Sequence, residues 1–106
     1  MIIISINKNA EGVCNGFRVE GHAGYADHGQ DIICAAVSML VINTINSIEQ
    51  FTEDVFDVQT NEETGLIELK MISSISNESV LLLNSLILGL QGVEENYGTS
   101  YIKIKK

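Results

Sequence analysis

The stretch Glu20-Gly21-His22-Ala23-Gly24-Tyr25-Ala26-Asp27-His28-Gly29-Gln30-Asp31-Ile32-Ile33-Cys34-Ala35-Ala36-Val37-Ser38-Met39-Leu40 changes character twice. It opens as the end of an alternating, strand-like run. It then passes through a loop holding Gly21, Gly24 and Gly29, and it closes as the start of a helix. Asp31 stands where loop becomes helix. A carboxylate there accepts hydrogen bonds from backbone N–H groups two or three residues on, which is the work of an N-cap. Both histidines of the chain, His22 and His28, and one of its two cysteines, Cys34, fall inside this one segment.

Upstream, Ile2, Ile4 and Ile6 alternate with Ile3 and Ser5, which gives a strand with one buried face. Lys8 to Gly12 is a polar turn, and Val13 to Gly21 alternates again, with Phe17 and Val19 on one side and Arg18 and Glu20 on the other. Downstream the helix runs from Ile32 to about Glu49, its stripe formed by Ile33, Val37, Leu40, Val41, Thr44 and Ile48. Ala35, Ala36, Met39 and Ile42 widen that stripe, so the first half of the helix is expected to be buried nearly all round. A short strand from Asp54 to Gln59, a loop from Thr60 to Gly65 and a strand from Leu66 to Ile72 read as a hairpin. Ser76 is the next N-cap, a leucine-rich helix follows from Asn77 to Asn96, Gly98 stops it, and Tyr101 to Lys105 is a last strand. The order ββαββαβ predicts an α+β two-layer sandwich, a mostly antiparallel sheet with two helices on one face, in a single domain over residues 1–106.

Composition narrows the function. Fourteen acidic against six basic residues give a net charge of −8, which disfavours binding to phosphate backbones and favours basic partners. Two cysteines do not make a disulfide framework, and together with two histidines they fall short of a structural zinc set. No run of 18 uninterrupted apolar residues occurs, so no membrane span is expected. Met1-Ile2-Ile3-Ile4 has neither a basic head nor a small-residue cleavage site, so it does not read as a signal peptide, and a cytoplasmic setting follows.

The chemistry concentrates on Cys34, three residues after the proposed cap. In the first turn of a helix the unpaired N–H groups and the helix dipole favour the thiolate, the form that attacks a carbonyl. The same N–H groups are placed to stabilise an oxyanion. His22, at the end of the preceding strand, can fold back to pair with the sulfur and later protonate a leaving amine. Plainer readings stand beside these. A cysteine in Ile-Ile-Cys-Ala-Ala is also a small buried hydrophobe, His22 a turn residue, His28 a solvated loop residue and Asp31 simply a cap. Cys14, within a strand, reads as buried structure. A metal module on His22, His28 and Cys34 is short of ligands.

The string Gly21-His22-Ala23-Gly24-Tyr25-Ala26, followed by Gly29-Gln30-Asp31-Ile32-Ile33-Cys34-Ala35-Ala36-Val37-Ser38, strongly resembles the ribosomal-processing cysteine protease family, Prp. The likeness extends over the chain in length and element order and includes Leu86-Ile87-Leu88-Gly89-Leu90 with Glu94-Glu95 in the second helix. It implies a bacterial cytoplasmic endopeptidase that removes a short N-terminal extension from a large-subunit ribosomal protein. It implies a catalytic pair at His22 and Cys34, with Asp31, Gly21 and Ser38 in support. Gly24, Tyr25 and Gly29 then fall on a substrate-binding loop. No metal and no cofactor are implied, and a homodimer is. The alternative left open by the residues alone is a non-enzymatic assembly module that binds basic ribosomal protein with Cys34 buried.

Overall fold

The computed structural model describes residues 1–27 and 31–105. The strands are β1 (Ile2–Lys8), β2 (Cys14–Glu20), β3 (Phe56–Asn61), β4 (Leu66–Met71) and β5 (Ile102–Lys105); the helices are α1 (Ile32–Phe51) and α2 (Asn77–Tyr97). The chain order is the expected ββαββαβ. The five-stranded sheet has spatial order β3-β4-β2-β1-β5. Every pairing is antiparallel except β1 with β5, which are parallel because the chain returns to β1 by way of α2.

Register follows from the alternation. Ile4 faces Val19 and Ile104, and Val19 faces Ile67, which sets one apolar row across four strands. The neighbouring row joins Ile6, Phe17, Leu69 and Val58. A slip of one residue would turn both rows to solvent, so the burial of one face fixes the pairing. The opposite face is polar, and on it Arg18 bridges Glu20 at 3.1 Å and Glu68 at 3.4 Å. Against the apolar rows lie Ile33, Val37, Val41 and Ile48 of α1 and Leu83, Leu86 and Leu90 of α2, in one continuous core. The helices touch each other where Gly89 lets Leu40 in; a Cβ at residue 89 would stand 3.2 Å from the leucine methyls.

The expectation of a first half-helix buried all round is corrected. Ile32, Met39 and Ile42 are 51%, 69% and 47% exposed. A single sheet and one neighbouring helix cover the inward faces of α1 and leave these outward apolar residues largely open. The helix is long and apolar enough to span a membrane by length and composition, with mean hydropathy 1.7 over its best window, yet Ile33, Val41 and Ile48 lie at the centre of the sandwich.

The hairpin also shifts. β3 begins at Phe56, because Asp54 is engaged elsewhere. Its Oδ2 accepts from the Ser76 amide (3.0 Å), the Ser76 hydroxyl (2.7 Å) and the buried Ser79 hydroxyl (2.6 Å). Ser76 is the N-cap of α2, as expected, accepting from the Ser79 amide. Asp54 therefore fastens the start of α2 to the strand layer. The Ser79 and Ser76 hydrogen bonds hold its carboxyl below the ordinary range.

Candidate active site

Asp31 builds the site. It caps α1 in extended geometry, and its Oδ1 accepts from the amides of Ile33 and Cys34, both at 3.0 Å. Its Oδ2 reaches the loop and accepts from the amides of Tyr25 (3.0 Å) and Ala26 (3.4 Å). One buried carboxylate thus ties the helix start to the loop that precedes it. Burial alone would raise its pKa. The four amides, Cys34 first, outweigh that and hold it below the ordinary carboxylate value.

The cap settles one expectation against the sequence reading. The Ile33 and Cys34 N–H groups are taken by the Asp31 carboxylate, and the Ala35 N–H by the Asp31 carbonyl at 3.0 Å. An oxyanion role is not open to them, because a side-chain cap satisfies the very donors that an uncapped helix would offer.

Cys34 is half-buried, and its Sγ accepts from the Ala23 amide at 3.3 Å. Cys14 is buried, donates to the Gly16 carbonyl at 3.4 Å and is pushed up in pKa by its burial. The two thiols therefore differ in kind, as their sequence settings indicated.

His22 is placed by main-chain groups. The Met1 nitrogen donates to its carbonyl at 2.6 Å, and its Nε2 lies 3.2 Å from the Glu63 carbonyl at the hairpin tip. A carbonyl only accepts, so Nε2 carries the proton in that contact. Gly21 (φ +91°) lets the strand end turn against the carbonyl of Met1, and Gly65 (φ +68°) lies under the imidazole. A Cβ at residue 65 would collide with the Gly21 carbonyl and sit 3.3 Å from His22 Cε1. Glu63 and Gly65 are the site residues that sequence reading missed, having assigned both to a hairpin loop. The glycine at the end of that turn was the available signal for Gly65; a carbonyl leaves none.

His22 and Cys34 line one open cleft of about 860 Å³, together with Gly21, Gly24, Asp31 and Ser38. Ser38 stands one helical turn beyond Cys34. Apolar side chains from both layers, Val19, Val37, Ile42, Ile45, Leu66 and Ile67, form much of the cleft, and Thr60, Asn61 and Glu62 stand on the hairpin side. Of the expected loop residues, Gly24 lines the cleft. The Tyr25 ring instead packs edge-on against Tyr97 and Tyr101, while Gly29, like His28 of the metal reading, lies outside the described residues.

A thiol at the first turn of a helix and an imidazole on the same open cleft, carried by an α+β sandwich, match the arrangement of a cysteine peptidase. Comparison with known proteins narrows the class. The family model described as "Cysteine protease Prp" matches residues 1–103, and the chain belongs to that family. The ribosomal processing cysteine protease Prp of Staphylococcus aureus is 29% identical over 97 residues, 92% of each chain. A crystal structure of an essential ribosomal processing protease Prp from Staphylococcus aureus, with a covalently linked product peptide, matches with TM-score 0.93 and 28% identity over 99% of this chain and 98% of that one. A second, in complex with a substrate peptide, matches with TM-score 0.84 and 26% identity over the same shares.

Proposed function

We propose that this peptidase removes the N-terminal extension of a basic large-subunit ribosomal protein in the bacterial cytoplasm, with Cys34 as nucleophile and His22 as its acid–base partner. The observation that carries the reading is the 3.3 Å bond from the Ala23 amide to the Cys34 sulfur. It holds the thiol on the cleft next to the residue that follows His22, with a donor that strengthens as the sulfur becomes negative. The peptide complexes of the Staphylococcus aureus relative support a peptide as ligand of the same cleft.

In this reading the Cys34 thiolate, paired with protonated His22, adds to the scissile carbonyl carbon and forms a C–S bond, the π pair moving to oxygen. Collapse breaks the C–N bond, and His22 gives its proton to the departing amine. The neutral imidazole then takes a proton from water, whose hydroxide adds to the thioester. The C–S bond breaks, the thiolate returns and the acid product leaves. Asp31 keeps the Cys34 amide and the loop in register, and Gly21 and Ser38 shape the cleft around the reacting bond.

The charge of −8 favours a basic peptide. Apolar residues left outside, among them Met39 at 69% and Leu88 at 71% exposure, favour a homodimer that covers the helical layer. Sedimentation at micromolar concentration is expected to give twice the chain mass of 11.6 kDa; a clean monomer would reject the dimer.

The deciding experiment incubates the protein with the unprocessed ribosomal protein from the same cell and measures intact mass. Loss of an N-terminal fragment is expected, and none with Cys34→Ala, Cys34→Ser or His22→Ala. Substantial turnover by folded Cys34→Ala would sink the assignment. Iodoacetamide is expected to label the half-buried Cys34 and spare the buried Cys14.

A further inference from the structure

The chain has three tyrosines and no tryptophan, and the three tyrosines meet at one place. The Tyr25 ring lies edge-on to Tyr101 with centroids 5.2 Å apart and to Tyr97 with centroids 6.0 Å apart. Tyr97 is the last residue of α2, and Tyr101 stands just ahead of β5, its carbonyl accepting from the Ile2 amide at 2.8 Å and its amide donating to the Gly98 carbonyl. Two rings on fixed main chain thus hold a third that belongs to the site loop. On the same few residues, the Tyr25 and Ala26 amides bond Asp31 and the Ala23 amide bonds the Cys34 sulfur. None of the three rings is on the cleft lining given by the described residues.

We propose that Tyr97 and Tyr101 are positioning residues for the reaction: through the Tyr25 ring they hold the loop so that the Ala23 N–H points at the Cys34 sulfur. The proposal rests on the reading of Cys34 as nucleophile. Hydrogen bonds to the Asp31 carboxylate and to the Cys34 sulfur leave an open form of the loop within reach, and two edge-to-face ring contacts lower the population of that form. The anchor joins the site to the end of α2 and the last strand, far from both in sequence.

The test compares Tyr97→Leu/Tyr101→Leu with Tyr97→Phe/Tyr101→Phe, which keeps the rings. Each lost ring contact is expected to speed exchange of the Ala23 and Tyr25 amides by about two- to tenfold. The core amides of Val41 and Leu86 keep their rates. The near-ultraviolet tyrosine band, which comes from Tyr25 alone in both double variants, is weaker with leucine than with phenylalanine. In peptide cleavage kcat falls with KM held, and the phenylalanine variant restores both exchange and kcat. Tyr97→Leu alone, at a helix end that is 38% exposed, serves if the double variant does not fold. Loop amides that exchange as in the parent, a phenylalanine variant that behaves like leucine, or an unchanged kcat despite faster exchange would each overturn the proposal. Cleavage that persists in Cys34→Ala would instead overturn the nucleophile assignment, and it would leave the exchange result readable.

Discussion

Replacing Asp31 tests most of the site at once. Asp31→Ala removes a carboxylate that is 8% exposed and accepts from four amides, two at the helix start and two in the loop. Loss of the cap alone costs about 0.5–2 kcal/mol. The two loop amides belong to exposed residues that water can reach, so they add about 1–2 kcal/mol rather than the full cost of stranded donors. The sum, roughly 1.5–4 kcal/mol, corresponds to a fall in Tm of about 6–30 °C for a chain of this size. The carboxyl is held below its ordinary value in the folded protein. Its contribution is therefore fully present above the unfolded value of about 3.9 and is lost as pH falls through the folded value. The gap between parent and Asp31→Ala should be widest at neutral pH and close in acid. Urea titrations of parent, Asp31→Ala and Asp31→Asn at several pH values measure it, with Asn keeping part of the cap. Activity of the folded variant at 25 °C should fall by more than its unfolded fraction explains, since the Cys34 amide and the loop are both released. A variant within about 0.5 kcal/mol of the parent at neutral pH, or a gap that does not close in acid, would refute the reasoning.

Gly65→Ala places a Cβ against the Gly21 carbonyl under the His22 ring and should lose stability and cleavage together, whereas Gly12→Ala, with similar φ and nothing within 4 Å, carries only the backbone cost of about 1–2 kcal/mol. Thermal melts and peptide assays of the pair separate collision from φ. Asp54→Ala strands the buried Ser79 hydroxyl and should cost about 1–3 kcal/mol in a urea titration, with most activity kept by the folded fraction. Raising ionic strength from about 0.01 to 0.15 M shortens the Debye length from roughly 30 to 8 Å and should slow cleavage of a basic peptide at low substrate more than at saturation; a neutral analogue with the same salt response would exclude the acidic surface from selection.

Much of this structure is local in sequence and was legible there. The alternation of Ile2, Ile4 and Ile6 with Ile3 and Ser5 fixes a strand and its buried face, and Asp31 and Ser76 cap helices as their positions predict. Asp54 escaped because its donors lie beyond the hairpin, on a helix start brought back only by the fold. Met39 and Ile42 misled because apolarity does not say whether its cover comes from the same chain. The oxyanion expectation failed at Ile33 and Cys34 because a cap and an anion site compete for the same donors, and only geometry shows which holds them. The Tyr25 ring contacts and the Glu63 carbonyl carry no sequence signature: one is a meeting of distant rings, the other a main-chain atom.

The placement of the proposed pair, His22 and Cys34, is set largely by main chain. His22 is held by the Met1 nitrogen at its carbonyl, the Glu63 carbonyl at its ring and the backbone of Gly65 beneath it. Cys34 is held by its own amide on Asp31 and by the Ala23 amide on its sulfur. Particular residues are needed at few of these points: one carboxylate, the thiol, the imidazole and two glycines that leave room for backbone. Elsewhere a site of this construction asks only that strands and helices keep their places, which apolar residues of many kinds can do. That is a physical reason why a relative with 28% identity keeps a TM-score of 0.93 over 99% of the chain. It also locates the sensitivity. Substitutions in the sandwich should act through stability, whereas a Cβ at Gly21 or Gly65, or a lost carboxylate at Asp31, moves the thiol and imidazole relative to each other directly.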